Sequence, residues 1–474
     1  MINCFFQSGL VSKFDRFLKQ ILMEVIKKIR TRRGANLNIK GKAEKILNKS
    51  TSATTFALRP DDFFGTTPKL LCKEGDQVKA GTPIFFSKKN PDIKFVSPVS
   101  GTVTAIERGP KRKIERICIE ASKTQKSNSH TVKDWEKKDR EQLKALLMES
   151  GNWPFIHQRP YGIMADPQDT PKAIFVNTVK TSPLSEEFHY LLKDDSQEFQ
   201  LGIDLLNKLV DQPVFLGVDA DEVGYFKTIE GVQHYIVQGP HPAGNLSLHI
   251  QNIAPLNMGE RIWTVNPEDV ANLGRFISTG IFSAQRTIAV SGNAVDHPIY
   301  FRTLIGSALA PFLEKVGLKQ DHVRVINGDI LTGSQAHLSD YLGYFNNLVS
   351  VIPEGNNYRM FGWLPFKDNN ILSLSNTSFS RLFNRKGFEV DTNLNGEERA
   401  LVVTGEMEKI FPMEIYPMQL IKACMIEDIE KMEALGIYEV VPEDFGLVDY
   451  SNTSKLEAQE IIRKGIELMI NEVG

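Results

Sequence analysis

The chain has 474 residues, 41% of them apolar, and its 56 Lys plus Arg against 58 Asp plus Glu leave a net charge of −2. That length accommodates roughly three or four domains, and a charge so near zero excludes a strongly basic field that would gather nucleic acid. Four cysteines, Cys4, Cys72, Cys118 and Cys424, stand in no CxxC spacing, which excludes a locally built metal or cluster site and a disulfide framework and points to a reducing compartment.

Taken in chain order, the first element is an amphipathic stretch. Leu10, Phe14, Phe17, Leu18, Ile21, Leu22, Val25 and Ile29 recur at helical spacing, with basic residues such as Lys13, Arg16 and Lys19 on the other side. It reads either as a basic helix lying on an anionic membrane or as an extension upstream of a start at Met23, and the second reading is preferred. Residues 61–120 are β-rich, with short β-branched runs between Gly, Pro and Asn. Residues 124–134 read as a polar linker and 140–148 as a helix. Strand-like runs at 173–176, 214–218 and 235–237 then alternate with helical ones at 186–192 and 199–210, the pattern of an α/β layer. Further on, 267–279 and 300–316 read as helices, and 287–290, 323–326 and 348–352 as strands, the order of a β-grasp-like unit. Residues 368–380 are Asn/Ser-rich and read as a linker, and 418–435 and 456–471 read as helices. The uncharged stretch 231–259 is the nearest thing to a membrane span. Its three prolines, three histidines and several amides would be unsatisfied in lipid, so it is expected to be a buried or loop-rich segment.

The sharpest motif is "KEGDQVKAGTPIFFSKKNPDIKFVSPVSGTVTAIERG", residues 73–109. Its glycines supply the tight corners of a lipoyl/biotinyl-like barrel. Lys88 and Lys89 sit at the hairpin tip, where a carrier of that family holds its prosthetic group, but they lack the flanking carrier context and read as surface lysines. "STSAT", residues 50–54, is similar to a flavinylation motif but lacks its glycine, and reads as a coincidence. No G-x-G-x-x-G follows any strand, so the α/β layer is Rossmann-like without a nucleotide motif. "QGPHPAGNLSLHI", residues 238–250, is an uncharged loop stiffened by prolines. It could contact a neutral ring or a partner, or serve as a buried structural loop. Arg159, in "IHQRPYG", could pair with an anionic ligand or a partner carboxylate, or anchor a domain interface. No Ser-His-Asp or Cys-His arrangement occurs, so no catalytic residue, no cofactor-binding residue and no metal ligand is assigned.

In order along residues 24–474, "RRGANLNIKGKAE", "EGDQVKAG", "FVSPVSGTVTAIERGPKR", "RPYGIMADPQDTPKAIFVNT", "GPHPAGNLSLHI", "WTVNPEDV", "YLGYFNNLVSVIPEG", "FGWLPF", "FPMEIYP" and "ALGIYEVVPEDFGL" together resemble the NqrA family, the A subunits of the Na⁺-translocating NADH:quinone oxidoreductases (Na⁺-NQR). Residues 1–22 fall outside the resemblance. One departure is the stretch from Gly446 to Ser454, which holds no cysteine where many relatives carry one.

The resemblance implies a multidomain α/β and α+β chain. Its parts are an N-terminal extension (1–22), a lipoyl/biotinyl-like β barrel (23–123), a Rossmann-like α/β domain (135–285), a β-grasp, SLBB-like domain (286–367) and a mostly helical C-terminal domain (381–474). It makes 25–33 a strand, against the helical periodicity. It also implies kinship with the NADH-binding subunit of complex I, without that subunit's nucleotide and cluster motifs. The implied function is that of a peripheral subunit, not catalytic alone, on the cytoplasmic face of the bacterial inner membrane, with no transmembrane helix. It would support electron transfer from NADH to ubiquinone or menaquinone coupled to Na⁺ export. The complex uses NADH, FAD, FMN, riboflavin, iron–sulfur centres and quinone, none of them tightly bound here. The implied partners are quinone and the other Na⁺-NQR subunits, NqrB to NqrF, especially the membrane-embedded NqrB. Candidate quinone or subunit-interface residues are Arg159, Pro240, His241, Pro242, Ala243 and Gly244. The alternative is a purely structural adaptor that never contacts quinone.

Overall fold

The computed structural model describes residues 27–221, 224–356, 372, 374 and 387–473. The amphipathic segment 1–22, the start at Met23 and all but two residues of the proposed linker 368–380 lie outside them.

The largest sheet has seven strands in the order Lys27–Arg30, Gln233–Gln238, Val214–Asp219, Ile174–Asn177, Ile262–Val265, Ile156–Arg159, Ile163–Met164. The first five run parallel, and Ile156–Arg159 and Ile163–Met164 close one edge as an antiparallel hairpin. The two-residue period of the strands sorts their side chains into two cores. Ile174, Val176, Leu216 and Val218 face helices Ser196–Leu209 and Pro267–Thr279. Phe175, Phe215, Tyr235 and Val237 face the C-terminal helices, including Pro417–Met425 and Ala458–Glu472, through Leu420, Ile421, Ile462 and Ile466. The first two helices approach at paired glycines. A Cβ on Gly274 would stand 1.8 Å from the Glu198 carbonyl oxygen, and one on Gly202 2.0 Å from that of Val270.

Two smaller units flank this sheet. Antiparallel strands Thr55–Leu58, Ile114–Ala121, Gly101–Arg108 and Gln77–Val78 and a second sheet of Pro68–Leu70, Pro83–Ser87 and Lys94–Val96 form the barrel. Lys88 and Lys89 are exposed between strands Pro83–Ser87 and Lys94–Val96. A six-stranded sheet holds, in order, Ser334–Ala336, Val323–Asn327, Leu348–Pro353, Gln285–Ser291, Ile299–Leu304 and Glu44–Asn48. Gln285–Ser291 and Leu348–Pro353 pair in parallel at its centre, with helix Ala310–Val316 packed on it.

Three sequence-based expectations give way. The 25–33 stretch contains a strand, Lys27–Arg30, parallel to Gln233–Gln238, so its helical spacing is incidental and the resemblance read it better. Residues 300–304 are strand, antiparallel to Gln285–Ser291, and only Ala310–Val316 is helical. A short apolar run such as "YFRTL" fits both templates, and pairing with the neighbouring strand decides. The expected helix 418–435 is two, Pro417–Met425 and Ile429–Ala434. Glu427 takes a left-handed φ of 56° between them, and the Asp428 side chain caps the second by accepting from the Lys431 N–H at 3.1 Å.

Candidate functional site

Chain order along the large sheet reverses beside Ile174–Asn177. The chain runs outward through Val214–Asp219 and Gln233–Gln238, then returns to lay Ile262–Val265 on the other side. Ligand crevices of open α/β sheets form outside the carboxyl ends of the strands at such a switch point. A cleft of about 660 Å³ lies there, within the range of small-molecule sites. Asn177, Lys180 and Thr181 enter it from the first of these strands, and Thr264 to Pro267 from the second. The other units complete it: Asp61 to Phe64 from the barrel region, Asp329, Thr332 and Phe345 from the β-grasp-like unit, and Val441 to Asp444 with Arg463 from the C-terminal helices.

One part of the wall is apolar. Phe63 and Phe345 meet edge-on at 5.6 Å, His157 stands edge-on to Phe345 at 4.5 Å, and Met164, Tyr161 and Phe64 continue the surface. The Arg463 guanidinium covers Phe64 at 4.3 Å and reaches Glu443 at 3.5 Å. Burial first, and then the Arg159 charge, push His157 down to about 4, so it is neutral at physiological pH.

The other part is the loop singled out in the sequence. His241 and Gly244 line the cleft, Pro242 and Ala243 are buried behind them, and Pro240 lies outside the lining. The segment "RRGAN" holds the loop from behind: the Ala35 N–H donates to the His241 carbonyl at 2.8 Å, and the His241 N–H donates to Asn36 Oδ1 at 3.0 Å. Gly34, at φ +122°, is required there, because a Cβ would stand 2.1 Å from the His241 carbonyl oxygen. On the other side, His249 Nε2 lies 2.7 Å from the Ala243 carbonyl and Nδ1 3.1 Å from the Tyr235 hydroxyl. A carbonyl only accepts, so Nε2 carries the proton and Tyr235 donates to Nδ1. Residues 246–250 are not loop: they begin helix Leu246–Ile253.

Arg159 also lines the cleft, its Nη1 3.4 Å from Ser247 Oγ. Burial raises Asp444 from its ordinary value against the pull of Arg159. Asp444 also accepts from the Asn245 side chain at 3.0 Å. Asn245 is the residue before helix Leu246–Ile253. A carboxylate of the protein itself therefore lies beside the helix start, bonded to the side chain of the residue that precedes it. Three cations, Arg159, Lys180 and Arg463, face five acids, Asp61, Asp62, Asp329, Glu443 and Asp444, across the lining. Lys180 is also 3.8 Å from Glu186. Such a balance disfavours a polyanion such as a dinucleotide and suits a neutral ligand. Among the described residues no group of three or more His, Cys, Asp or Glu could hold a metal ion, and no helix is long and apolar enough to cross a membrane.

Sequence reasoning brought Arg159, His241 and Gly244 to this cleft and missed His157, Thr181, Asp444, Arg463 and the aromatic wall. His157 stands two residues before Arg159 in the motif already noticed, so it was within reach. The others carry no local signal, because only the topology gathers them.

Three family descriptions match the chain: an NqrA N-terminal barrel-sandwich hybrid domain over residues 29–122, an NqrA second alpha/beta domain over 138–282 and an NQRA C-terminal domain over 287–337. The A subunit of the Na(+)-translocating NADH-quinone reductase of Neisseria meningitidis serogroup A / serotype 4A is 31% identical over 450 residues, 94% of this chain and 100% of that protein. The protein of the same name from Haemophilus influenzae is 32% identical over 448 residues, again 94% and 100%. Among solved structures, the NAD+-reducing [NiFe]-hydrogenase in the air-oxidized state shows a slight likeness, with a TM-score of 0.36 and 13% identity over 73% of this chain and 64% of that one.

Proposed function

The chain belongs to the NqrA family, the A subunits of the Na⁺-translocating NADH-quinone reductases, and on that footing we propose that its interdomain cleft receives the head group of the quinone that the complex reduces. Membership makes it one component of an NADH:quinone oxidoreductase complex. The observation that carries the proposal is the character of the cleft: an apolar, aromatic wall and a buried, hydrogen-bonding histidine share one lining, with the protein's own Asp444 beside a helix start. A quinone ring needs an apolar slot and a few placed polar groups for its carbonyls. In this reading Arg159, His241 and Gly244 contact or frame the ring, and Pro240, Pro242 and Ala243 hold the loop in shape.

In this reading electrons arrive from NADH through flavins and iron–sulfur centres in other subunits. The cleft then completes its quinone path with the membrane-embedded NqrB on the cytoplasmic face. A complex that lacks this chain should still pass electrons from NADH to soluble artificial acceptors while losing reduction of ubiquinone or menaquinone and the coupled Na⁺ transport. One observation favours the adaptor reading. Tyr416, Met425 and Ile426, near the two ends of helix Pro417–Met425, are 66%, 52% and 66% exposed, apolar surface that a neighbouring chain of the complex would cover. Unchanged quinone reduction by the chain-less complex would favour that reading over the cleft.

A further inference from the structure

His241 is one of the residues that line the cleft and is 2% exposed, yet its Nε2 has no hydrogen-bond partner among the described residues. A buried ring nitrogen left bare is costly, and one on a residue that lines a cavity is a candidate partner for a ligand atom.

Which atom it can take depends on the tautomer, and the tautomer depends on Thr181. Thr181 Oγ1 accepts from the Gly244 N–H at 2.9 Å and lies 3.2 Å from His241 Nδ1. If Nδ1 carried the proton, Oγ1 would have to accept twice, and its own hydrogen would have no acceptor among the described residues. If Nδ1 is bare, the hydroxyl donates to it and every group in the chain Gly244 N–H, Thr181 O–H, His241 Nδ1 is satisfied. The second arrangement makes Nε2–H the only free donor of the ring. The loop cannot slide away from it, since Asn36, Ala35 and Gly34 hold the His241 backbone.

We propose that Thr181 fixes His241 as its Nε2–H tautomer, and that this N–H is the donor awaiting a carbonyl oxygen of the ligand in the cleft. That the carbonyl belongs to a quinone rests on the function proposed above. The assignment of the tautomer does not. Burial holds His241 neutral, at about 4, against the opposing charge of Asp329. Asp329 is itself occupied by the Leu331 N–H, the Thr332 N–H and the Thr332 hydroxyl, at 2.8, 3.1 and 2.7 Å. Thr181 is thus a positioning residue: it never needs to touch the ligand, and it decides which face of the imidazole chemistry the ligand meets.

The test uses the full chain with ¹⁵N-labelled histidine, the His241 signals being identified by their loss in H241Q. At pH 7 the two-bond proton–nitrogen pattern should be that of Nε2–H, with Nδ1 shifted as a hydrogen-bond acceptor. T181V should lose that bias towards a mixture, and T181S should keep it. Ubiquinone-1 should move the Nε2–H proton in the wild type. In the assembled complex T181V should raise KM for ubiquinone-1 roughly three- to tenfold, the worth of one well-placed hydrogen bond, more than it lowers kcat, and T181S should restore it. An Nδ1–H pattern in the wild type, or a T181V pattern identical to wild type, would overturn the positioning role. Ubiquinone-1 that shifts other cleft resonances but leaves Nε2–H unmoved would overturn the donor role and leave the quinone reading intact. If ubiquinone-1 moves no resonance at all while the tautomer pattern is as stated, the quinone reading falls, and the carbonyl assignment with it.

Discussion

Asp444 and Asn245 meet side chain to side chain at 3.0 Å, joining the C-terminal helices to the first residue before helix Leu246–Ile253. In a nucleotide-binding α/β sheet the start of such a helix greets a phosphate. Here a carboxylate from another part of the chain lies beside the helix start on the Asn245 side chain, and Arg159 lies close enough to act on it. The cleft lies at the switch point of the sheet, and the proposal made above is that it takes a neutral ring there.

Removing the acid or its cation should be felt differently. Arg159→Met leaves Asp444 buried with less compensation, so it should lower the melting temperature and raise the quinone KM together. Asp444→Asn keeps the shape and the acceptor for Asn245, and should cost less stability than Arg159→Met. Thermal melts of the two variants side by side check this; equal losses would mean that the pair does not act as one.

The fully buried cluster behind the cleft wall is a second test of charge compensation. Arg286 Nη2 lies 2.8 Å from Asp269 and Nη1 3.6 Å from Glu268, all three without solvent exposure. Arg286→Met strands two acids in the core and should destabilise the fold by about 3–5 kcal/mol. Denaturant unfolding measures it, and a loss under about 1 kcal/mol would show that the acids are protonated already.

Acid should loosen the region of the loop. His157, His241 and His249 are each held down to about 4, by burial first, from an ordinary 6.5. A histidine depressed in the folded state contributes stability that is present above 6.5 and lost as pH falls towards 4, since the unfolded chain binds the proton more readily. The melting temperature should therefore drop between pH 7 and pH 5, and H249Q should drop less across the same interval. An H249Q profile parallel to wild type would remove His249 from this account.

The approach of helices Ser196–Leu209 and Pro267–Thr279 depends on two missing side chains. Gly274→Ala would press a methyl to 1.8 Å from the Glu198 carbonyl, where backbone must move. Overpacking of this kind costs about 1–3 kcal/mol, readable in a thermal melt. Since Asn266 and Pro267 of the second helix also line the cleft, the same variant should weaken quinone binding without touching the ligand.

How much of this was legible in the chain follows from where the signals lie. Helix Pro267–Thr279 was readable to the residue, because a capping Asn266, a proline at the first turn and Gly280 at the end punctuate it. The loop around His241 stood out because it is uncharged and stiffened by prolines. Asp61 to Phe64, Thr181 and Arg463 were not legible, for each is ordinary where it stands and acquires a role only when the switch point of the sheet draws four parts of the chain together. The Ile299–Leu304 strand and the break at Glu427 were lost for a different reason. In both places local apolar pattern was ambiguous and a neighbouring strand or a single left-handed residue decided the outcome.

The central claim, that the interdomain cleft takes the quinone, is tested most directly by photo-labelling the assembled complex with an azido-quinone and mapping the modified peptides. The account predicts label on this chain within residues 157–164, 241–246 or 441–444, suppressed by excess ubiquinone. Label confined to other subunits, or to surfaces of this chain away from those segments, would contradict it.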